Sequence, residues 1–280
     1  MSEFEMPPLR DLFSELKASL SPETILRQNE PLAHKTTLRV GGPADCYIEP
    51  CSEEDLARVL RFCIAQHIPV MALGRGSNLL IRDGGIRGVV VSLAHPNFSR
   101  ITITGDRIEC GAGAKLKAVS VEARRHGLAG LEFLEGIPGS VGGALRMNAG
   151  AMGAATFDRV EHIRFMDFGG GLHQLPTTEV HAKYRFCPLL KDNIALGAVF
   201  KGEPASPEEI AEKMKQFCGK RWNSQPAAPS AGCIFKNTPL MPAGKLVDEL
   251  CLKGLRVGGA AVSDVHGNFI VNDNKATARD

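Results

Sequence analysis

Two glycine-rich segments constrain this 280-residue chain more than any other feature. The first, Gly74–Leu79, follows a short apolar run, Ile68–Leu73, that predicts a buried strand. The second, Gly136–Gly143, holds four glycines and one proline in eight residues. Because such a segment loses much conformational entropy on folding, a chain rarely keeps it unless its backbone must contact something closely.

The first segment predicts a site for a phosphate or pyrophosphate. Gly74 and Gly76 can adopt positive φ and allow a ligand to approach, while Ser77 and Asn78 add hydrogen-bond donors to the backbone N–H groups. Taken alone, the pattern fits a tight surface turn equally well. It lacks the Gly-Lys-Ser/Thr of a P-loop, and no helix is predicted after it, which excludes a Rossmann fingerprint.

The second segment is extended by further glycines as far as Gly153. A single long structural turn of this length would be unusual, although it remains the alternative. Together, the two segments predict a cradle for both ends of a dinucleotide.

The remaining sequence predicts helices and strands in mixed order, which indicates an α+β fold. Ser52 is a typical helix N-cap before three acidic residues, and Gly105-Asp106 predicts a hairpin turn. The longest predicted helix, Pro207–Trp222, marks a domain boundary. The other predicted elements are helices at Pro8–Leu20, Ala114–His126 (ended by Gly127) and Ala243–Cys251, and strands at Leu38–Glu49, Gly88–Leu93, Val160–Asp167, Ile194–Lys201, Ala260–Ser263 and Phe269–Val271.

Composition excludes several classes of protein. The net charge is +2, no basic run exceeds two residues, and one Trp and two Tyr offer little stacking surface, so nucleic-acid binding is not expected. The longest apolar runs, such as Gly88–Ala94, are too short to span a bilayer, and no signal peptide is recognisable, so we expect a cytoplasmic protein. The eight cysteines form no Cys-x-x-Cys pair and the histidines have no ligand spacing, which predicts free thiols and no metal.

Several further motifs accompany the glycine segments in a fixed order. They are Thr37–Asp45, Met147–Ala151, Tyr184-Arg185, Ser230–Asn237, Ala243-Gly244, Leu252–Gly254 and Gly258–Ala260. With them, the chain from about Asn29 to Asp280 resembles the UDP-N-acetylenolpyruvoylglucosamine reductase family, which acts in peptidoglycan precursor synthesis. The segment Asp158–Asn193 has no room for the tyrosine-bearing insert of one branch, so the chain resembles the shorter branch.

The resemblance implies a fold and a reaction. The expected fold is α+β: a helical segment over 1–34, an FAD-binding domain of the vanillyl-alcohol-oxidase type over 35–203 (subdomains about 35–93 and 94–203), and a smaller α+β substrate-binding domain over 204–280. In the expected reaction, NADPH reduces non-covalent FAD, which then reduces the enolpyruvyl group of UDP-N-acetylglucosamine enolpyruvate to give UDP-N-acetylmuramate. A monomer without membrane or nucleic-acid partners is expected.

The resemblance also assigns residues to sites. FAD is expected to contact Gly74, Arg75, Gly76, Ser77, Asn78, Leu79, Gly136, Ile137, Pro138, Gly139, Ser140, Gly142, Gly143, Ala144, Asn148, Gly150 and Ala151. The substrate is expected to contact Arg185, Gln225, Lys236 and Asn237, with Arg185 and Cys233 as the catalytic residues.

The two catalytic residues have distinct expected tasks. A guanidinium can hold both oxygens of the enolpyruvyl carboxylate as charge spreads into it, which is the role given to Arg185. Cys233 stands where the family usually has a serine, and it would protonate the α-carbon, since an ordinary thiol, with a pKa of about 8.5, is mostly protonated at neutral pH.

One departure from the family leaves two alternatives open. The resemblance implies a later strand with a glutamate that assists protonation, and the sequence ends at Asp280 before it, so we expect a truncated substrate-binding domain. A catalytically impaired FAD- or UDP-sugar-binding remnant is therefore one alternative. Another flavin oxidoreductase of the same fold is the second, although covalent members often carry a histidine in the first glycine segment and this chain has none.

Overall fold

The structure is a computed structural model that describes the chain from Leu9 to Asp280, with side chains from Ser14 onward. Within that part, the α-helices are α1 Leu9–Ser19, α2 Glu53–Ala65, α3 Leu116–Arg125, α4 Val141–Met147, α5 Pro207–Ser224 and α6 Ala243–Glu249. The predicted helix Pro8–Leu20 is confirmed as α1. Pro8 and the side chains of Leu9, Leu12 and Phe13 lie outside the described residues, whereas Leu16 is fully buried.

The strands of the described chain are short and numerous. In chain order they are β1 Ile25–Pro31, β2 Pro43–Glu49, β3 Val70–Ala72, β4 Ile86–Val91, β5 Ile101–Thr104, β6 Arg107–Gly111, β7 Leu128–Ala129, β8 Gly150–Ala151, β9 Ala154–Ala155, β10 Val160–Asp167, β11 Leu172–Pro176, β12 Asn193–Lys201, β13 Glu203–Pro204, β14 Ser230–Cys233, β15 Arg256–Val257, β16 Ala260–Val262 and β17 Phe269–Asn272.

Two compact units divide the chain. The first includes the chain up to Asn29, Asp45–Gly74 and Arg87–Phe217, and the second includes Glu30–Ala44, Arg75–Ile86 and Cys218–Asp280. These units do not coincide with the continuous domains predicted over 35–203 and 204–280, because two short segments of the N-terminal half group with the C-terminal residues. The predicted helical segment 1–34 also contains β1, which joins a sheet.

A four-stranded sheet of order β1-β2-β4-β3 lies in the first unit, with β3 and β4 parallel. The crossover from β2 to β3 is α2, whose apolar side packs on the sheet through fully buried Leu56 and Leu60. As predicted, α2 begins after Ser52, whose hydroxyl accepts a hydrogen bond from the Asp55 N–H at 3.1 Å. β2 starts at Pro43, so the strand predicted from Leu38 was placed too early.

The second sheet of this unit is five-stranded and antiparallel, in the order β11-β10-β12-β6-β5. The predicted hairpin is confirmed: β5 and β6 pair from Ile101↔Cys110 to Thr104↔Arg107, and Gly105 in the turn has φ +61°. Ile108 and Cys110 of β6 are buried while Arg107 and Glu109 are exposed, the alternation expected of a sheet with one buried face. Helices α3 and α4 contribute to the same core.

The second glycine segment contains the start of a helix that the sequence did not predict. Its last three residues, Val141, Gly142 and Gly143, form the first turn of α4. Glycine is a poor helix former, but Gly142 packs so closely on Ala112 that a Cβ would lie 3.0 Å from the alanine Cβ. Tertiary packing therefore favours glycine at this helical position.

The second unit contains a four-stranded sheet of order β14-β17-β16-β15. Its small buried cluster consists of Leu38, Val40 and Ala231. Asn272 of β17 donates a side-chain hydrogen bond to the Leu38 carbonyl at 3.0 Å, which ties the sheet to the segment before β2.

All eight cysteines are free, as predicted. Three of those in the core are poor nucleophiles, because burial raises the pKa of Cys46 to about 11 and the pKa values of Cys63 and Cys110 to about 12. Cys233 and Cys251 are exposed. Among the described residues, no helix combines the length and the apolarity that crossing a membrane would require.

Asp55 is a buried carboxylate that anchors the start of α2. Its oxygens accept hydrogen bonds from Thr24 Oγ1 at 2.6 Å, from Cys51 Sγ at 3.2 Å and from the backbone and hydroxyl of Ser21. Burial alone would raise the pKa of Asp55, but these hydrogen bonds outweigh it and hold that pKa below its usual value.

Asp55→Asn is expected to lower the free energy of unfolding by about 2 kcal/mol at neutral pH, because charged hydrogen bonds are lost. Since the folded-state pKa of Asp55 is the lower one, its carboxylate contributes stability above the unfolded pKa of about 3.9, and this contribution is lost as the pH falls through the folded pKa. Urea unfolding at several pH values should therefore show that the difference in unfolding free energy between wild type and variant, the gap, becomes smaller in acid. A gap that widens in acid would contradict this account.

Candidate functional site

The first glycine segment begins directly after β3, as predicted. The Leu73 N–H donates to the Val91 carbonyl at 2.8 Å, which holds the end of β3 against β4. Gly76 has the expected positive φ of +62°, whereas Gly74 is not in that region. At Gly76 a Cβ would lie 2.2 Å from the Lys35 carbonyl oxygen, so this glycine is required by packing within the chain itself.

The second glycine segment is fixed against the end of β6 and the start of α3. The Val141 N–H donates to Ala114 at 2.9 Å, the Gly142 N–H donates to Ala112 at 2.8 Å, and the Leu116 N–H donates to Gly139 at 3.2 Å. These bonds make the segment rigid before any ligand binds, which lowers the entropic cost of binding.

Gly74 brings the two segments together. A Cβ at Gly74 would lie 3.0 Å from Ser140 Oγ, so the strand end and the second segment are direct neighbours. A Cβ at Gly136 would meet no atom within 4 Å, and one at Gly143 would meet only Ser140 Oγ at 3.8 Å, so bare backbone borders open space there. Backbone that faces open space between two glycine segments fits the pyrophosphate of the expected FAD.

Asn148, Gly150 and Ala151 follow α4. Asn148 ends the helix in a left-handed conformation, and its side chain accepts from the Phe157 N–H at 3.1 Å and donates to the Lys183 carbonyl at 3.5 Å. Gly150 and Ala151 form β8, which pairs with β9. These residues therefore already have structural contacts, and their predicted role in FAD binding remains a prediction.

Arg185 lies at the tip of a tight turn beside the C-terminal end of α4. Lys183 and Phe186 close the turn with two backbone hydrogen bonds, of 2.7 and 3.1 Å. Arg146 pins the turn to α4, since its guanidinium stacks 5.4 Å from the centre of the Phe186 ring and donates to the Cys187 carbonyl at 3.5 Å. Because α4 is only about 10 Å long, Arg185 is held at the opposite end of the helix that begins in the second glycine segment.

The backbone of Arg185 is unusual in a way that the sequence did not reveal. Its φ is +57°, a left-handed conformation that costs energy for any residue with a Cβ. Such conformations persist where the surrounding structure enforces them, and they concentrate at functional sites. Arg146, which contacts the next two residues of the turn, was missed because nothing in its sequence context distinguishes it from a surface arginine.

Cys233 is presented on a β-bulge of the second unit. The pairing of β14 with β17 advances from Ser230↔Val271 to Cys233↔Phe269, so three residues on one strand match two on the other. Gly232 supplies the bend, with φ +76° and no neighbour that a Cβ would meet within 4 Å. A bulge redirects the following side chain, and Cys233 is exposed.

The other predicted substrate residues lie in the same unit. Lys236 and Asn237 are exposed, and Asn237 Oδ1 accepts from the Ala243 N–H at 3.0 Å, which leaves its NH₂ group for other contacts. Gln225 follows the end of α5, where its Oε1 accepts from Arg221 Nε at 3.4 Å. Their contacts with substrate remain predictions.

A cavity of about 400 Å³ also lies in the second unit, lined by Ala33, His34, Thr36 and Arg39. It adjoins the first glycine segment, because the Thr37 N–H donates to the Gly76 carbonyl at 3.2 Å. Its volume is in the range of small-ligand sites. Arg39 belongs to the Thr37–Asp45 motif, but neither it nor His34 was predicted as a site residue, since the sequence does not show which residues line a cavity.

Two family models match the chain. One, described as an FAD binding domain, matches residues 44–175, and the other, described as the C-terminal domain of UDP-N-acetylenolpyruvoylglucosamine reductase, matches residues 225–280. The first match includes both glycine segments and supports FAD as the cofactor, in agreement with the open backbone between them.

Relatives of known sequence and structure extend this result. A UDP-N-acetylenolpyruvoylglucosamine reductase of Geobacter metallireducens is 44% identical over 271 residues, which are 96% of this chain and 89% of that protein. The crystal structure of the Thermus caldophilus reductase, 39% identical, superposes with a TM-score of 0.81 over 92% of this chain and 91% of that one.

A more distant structure shows the fold alone. A glucose dehydrogenase, Phl p 4.0202, is 14% identical and superposes with a TM-score of 0.55 over 70% of this chain and 44% of its own. The expected α+β fold with an FAD-binding domain of the vanillyl-alcohol-oxidase type is thereby confirmed. With matches of this identity over nearly its whole length, the chain belongs to the UDP-N-acetylenolpyruvoylglucosamine reductase family.

Proposed function

We propose that this protein reduces the enolpyruvyl group of UDP-N-acetylglucosamine enolpyruvate to UDP-N-acetylmuramate with NADPH, as a step of peptidoglycan precursor synthesis. The observation that carries the proposal is the meeting of the two glycine segments at Gly74 and Ser140, beside a helix whose other end holds Arg185. When bound there, FAD supplies the chemistry that passes a hydride from NADPH to the enolpyruvyl double bond.

The glycine segments hold and orient the cofactor in this proposal. Their backbone is already fixed by hydrogen bonds to Ala112 and Ala114, so it needs little reorganisation to bind a pyrophosphate. The open side of Gly136 and Gly143 gives the ligand direct access to backbone, which a larger side chain would block.

Arg185 binds the carboxylate of the enolpyruvyl group. Its guanidinium can donate two parallel hydrogen bonds to the two carboxylate oxygens, and it stabilises the negative charge that spreads into the carboxylate as the β-carbon receives hydride. The left-handed backbone of Arg185 supports this role, because it restricts the direction in which the side chain leaves the turn.

Cys233 completes the reaction by donating its Sγ proton to the α-carbon. Exposure on the bulge supports this role, since the thiol can reach a ligand without a change in the core of the second unit. We also propose that the protein acts as a monomer in the cytoplasm, without membrane or nucleic-acid partners, because both substrates of the proposed reaction, NADPH and the UDP-sugar, are small nucleotides.

An anaerobic two-step titration tests the proposed function. The yellow protein is expected to bleach when NADPH is added and to recover its flavin absorbance when UDP-N-acetylglucosamine enolpyruvate follows, with UDP-N-acetylmuramate as the product by mass spectrometry. UDP-N-acetylglucosamine, which lacks the enolpyruvyl group, is the matched control and should restore nothing. Bleaching without recovery would indicate a binding remnant, and recovery only with oxygen would indicate another flavin oxidoreductase.

A further inference from the structure

The segment that follows Cys233 is held by one buried asparagine. The Ile234 N–H donates to the backbone carbonyl of Asn268 at 3.0 Å. The Phe235 N–H donates to Asn268 Oδ1 at 2.8 Å, and Asn268 Nδ2 donates to the Phe235 carbonyl at 2.9 Å. Three hydrogen bonds thus join Asn268 to the two residues after Cys233.

This arrangement replaces a β-ladder that has ended. The pairing of β14 with β17 stops at Cys233↔Phe269, where β14 ends and β17 begins. A side-chain amide carries the same donor and acceptor as a peptide group, and Asn268 uses both of them on Phe235. The side chain therefore extends the sheet by one step.

Asn268 is well placed to do this rigidly. The residue is only 2% exposed, and its own N–H donates to His266 Nδ1 at 3.0 Å, so its position is fixed from both sides. Because a buried amide without partners is costly, the bonds to Phe235 are not readily exchanged for water.

Cys233 lies between a glycine and this fixed segment. Gly232 precedes it with φ +76°, so the bulge turns the chain directly before Cys233. The bonds to Asn268 begin at the next residue, Ile234. They therefore fix the backbone on the C-terminal side of Cys233, where the pairing of β14 with β17 ends.

We infer that Asn268 is a positioning residue for the reduction: its side-chain amide fixes the backbone of Ile234 and Phe235, and with it the directions of Cys233 and of Lys236. The inference rests on the proposed role of Cys233 as proton donor. The second step of the reaction would then depend on Asn268, a residue that touches neither cofactor nor substrate.

Asn268→Ala and Asn268→Asp test the inference by stopped-flow absorbance. In both variants the bleaching of bound flavin by NADPH is expected to stay within about twofold of wild type, whereas recovery with the enolpyruvyl sugar slows by about 10- to 100-fold, as expected when a catalytic group is displaced by about 1 Å. Asn268→Asp keeps the volume of the side chain and the acceptor for the Phe235 N–H but loses the donor to the Phe235 carbonyl, so it tests the lost hydrogen bond without the cavity that alanine leaves.

Asn193→Ala is the matched control. Asn193 Nδ2 donates to the Leu189 carbonyl at 2.7 Å in the first unit, so the variant loses a comparable bond between an amide side chain and a backbone carbonyl. It is expected to lower thermal stability without slowing the recovery step relative to the bleaching step. If the Asn268 variants slow both steps equally, in proportion to their lost stability, Asn268 is only structural and the inference is wrong.

Thiol labelling gives a readout that does not depend on turnover. In Asn268→Ala, alkylation of Cys233 by iodoacetamide, measured by peptide mass spectrometry relative to Cys251, is expected to rise by about threefold or more because the segment is released. Both thiols are exposed in the wild type, whereas Cys63 and Cys110 are buried with raised pKa values and serve as unlabelled references. An unchanged labelling ratio together with unchanged recovery would overturn the inference.

Cys233→Ala, measured alongside, separates the two proposals. If it slows the recovery step and the Asn268 variants do not, only the role of Asn268 is wrong. If it recovers at the normal rate, the role of Cys233 is wrong, and the inference for Asn268 falls with it.

Discussion

Cys233→Ala is expected to bleach normally with NADPH and to recover its flavin absorbance with the enolpyruvyl sugar about 10²- to 10⁴-fold more slowly than wild type, the range that general acid catalysis usually contributes. The physical reason is that the α-carbon no longer receives the Sγ proton, while both glycine segments are unchanged. Stopped-flow absorbance measures the two steps separately, under anaerobic conditions.

Two further variants make this result specific. Cys233→Ser restores a hydroxyl proton donor, and the serine of the family motif stands at this position, so recovery is expected within about tenfold of wild type. Cys251→Ala removes the other exposed thiol of the second unit and should change neither step. Normal recovery in Cys233→Ala would show that another group supplies the proton.

Gly74→Val is expected to abolish FAD binding while the protein remains folded. A Cβ at Gly74 would lie 3.0 Å from Ser140 Oγ, so the two branches of valine must extend into the space between the glycine segments. Its φ is not in the left-handed region, so the backbone itself tolerates a side chain. We expect the dissociation constant for FAD to rise by at least about 100-fold, or roughly 3 kcal/mol, in a titration of apoprotein.

Controls separate blocked binding from a simple clash with Ser140. Gly74→Val combined with Ser140→Gly relieves that contact, and binding should still fail if the valine occupies the place of the cofactor. Gly219→Val adds the same bulk on the exposed side of α5, where a Cβ meets nothing within 4 Å, and should bind FAD normally. Full FAD occupancy in Gly74→Val would contradict the location of the cradle.

Local signals in the sequence predicted many elements well. Ser52 as a helix cap, Gly105 in the hairpin turn and Gly127, with φ +65° after α3, all match the structure. Each depends on the chemistry of a few neighbouring residues, which is why a sequence suffices to find them. The start of α4 was missed for the opposite reason: its glycines disfavour a helix locally, and the packing of Gly142 on Ala112 exists only in the folded chain.

The candidate site divides in the same way. The identity of its parts, the two glycine segments, Arg185 and Cys233, could be read from the order of motifs along the chain. Their supports could not: Arg146 and Asn268 act through contacts with residues 40 and 33 positions away, a separation at which the sequence of one chain carries no visible pattern.

The sequence by itself determined the family and the cofactor class, and it predicted the residues that carry the reaction, because short motifs carry that chemistry directly. Only the tertiary structure decided that the chain's own packing requires glycine at Gly76 and favours it at Gly142, whereas Gly136 and Gly143 border open space. The physical reason is that a crowding neighbour and a bound ligand both require a residue without a side chain, so either one can account for a glycine. Which of the two applies depends on the atoms around its Cα, and these are known only once the chain is folded.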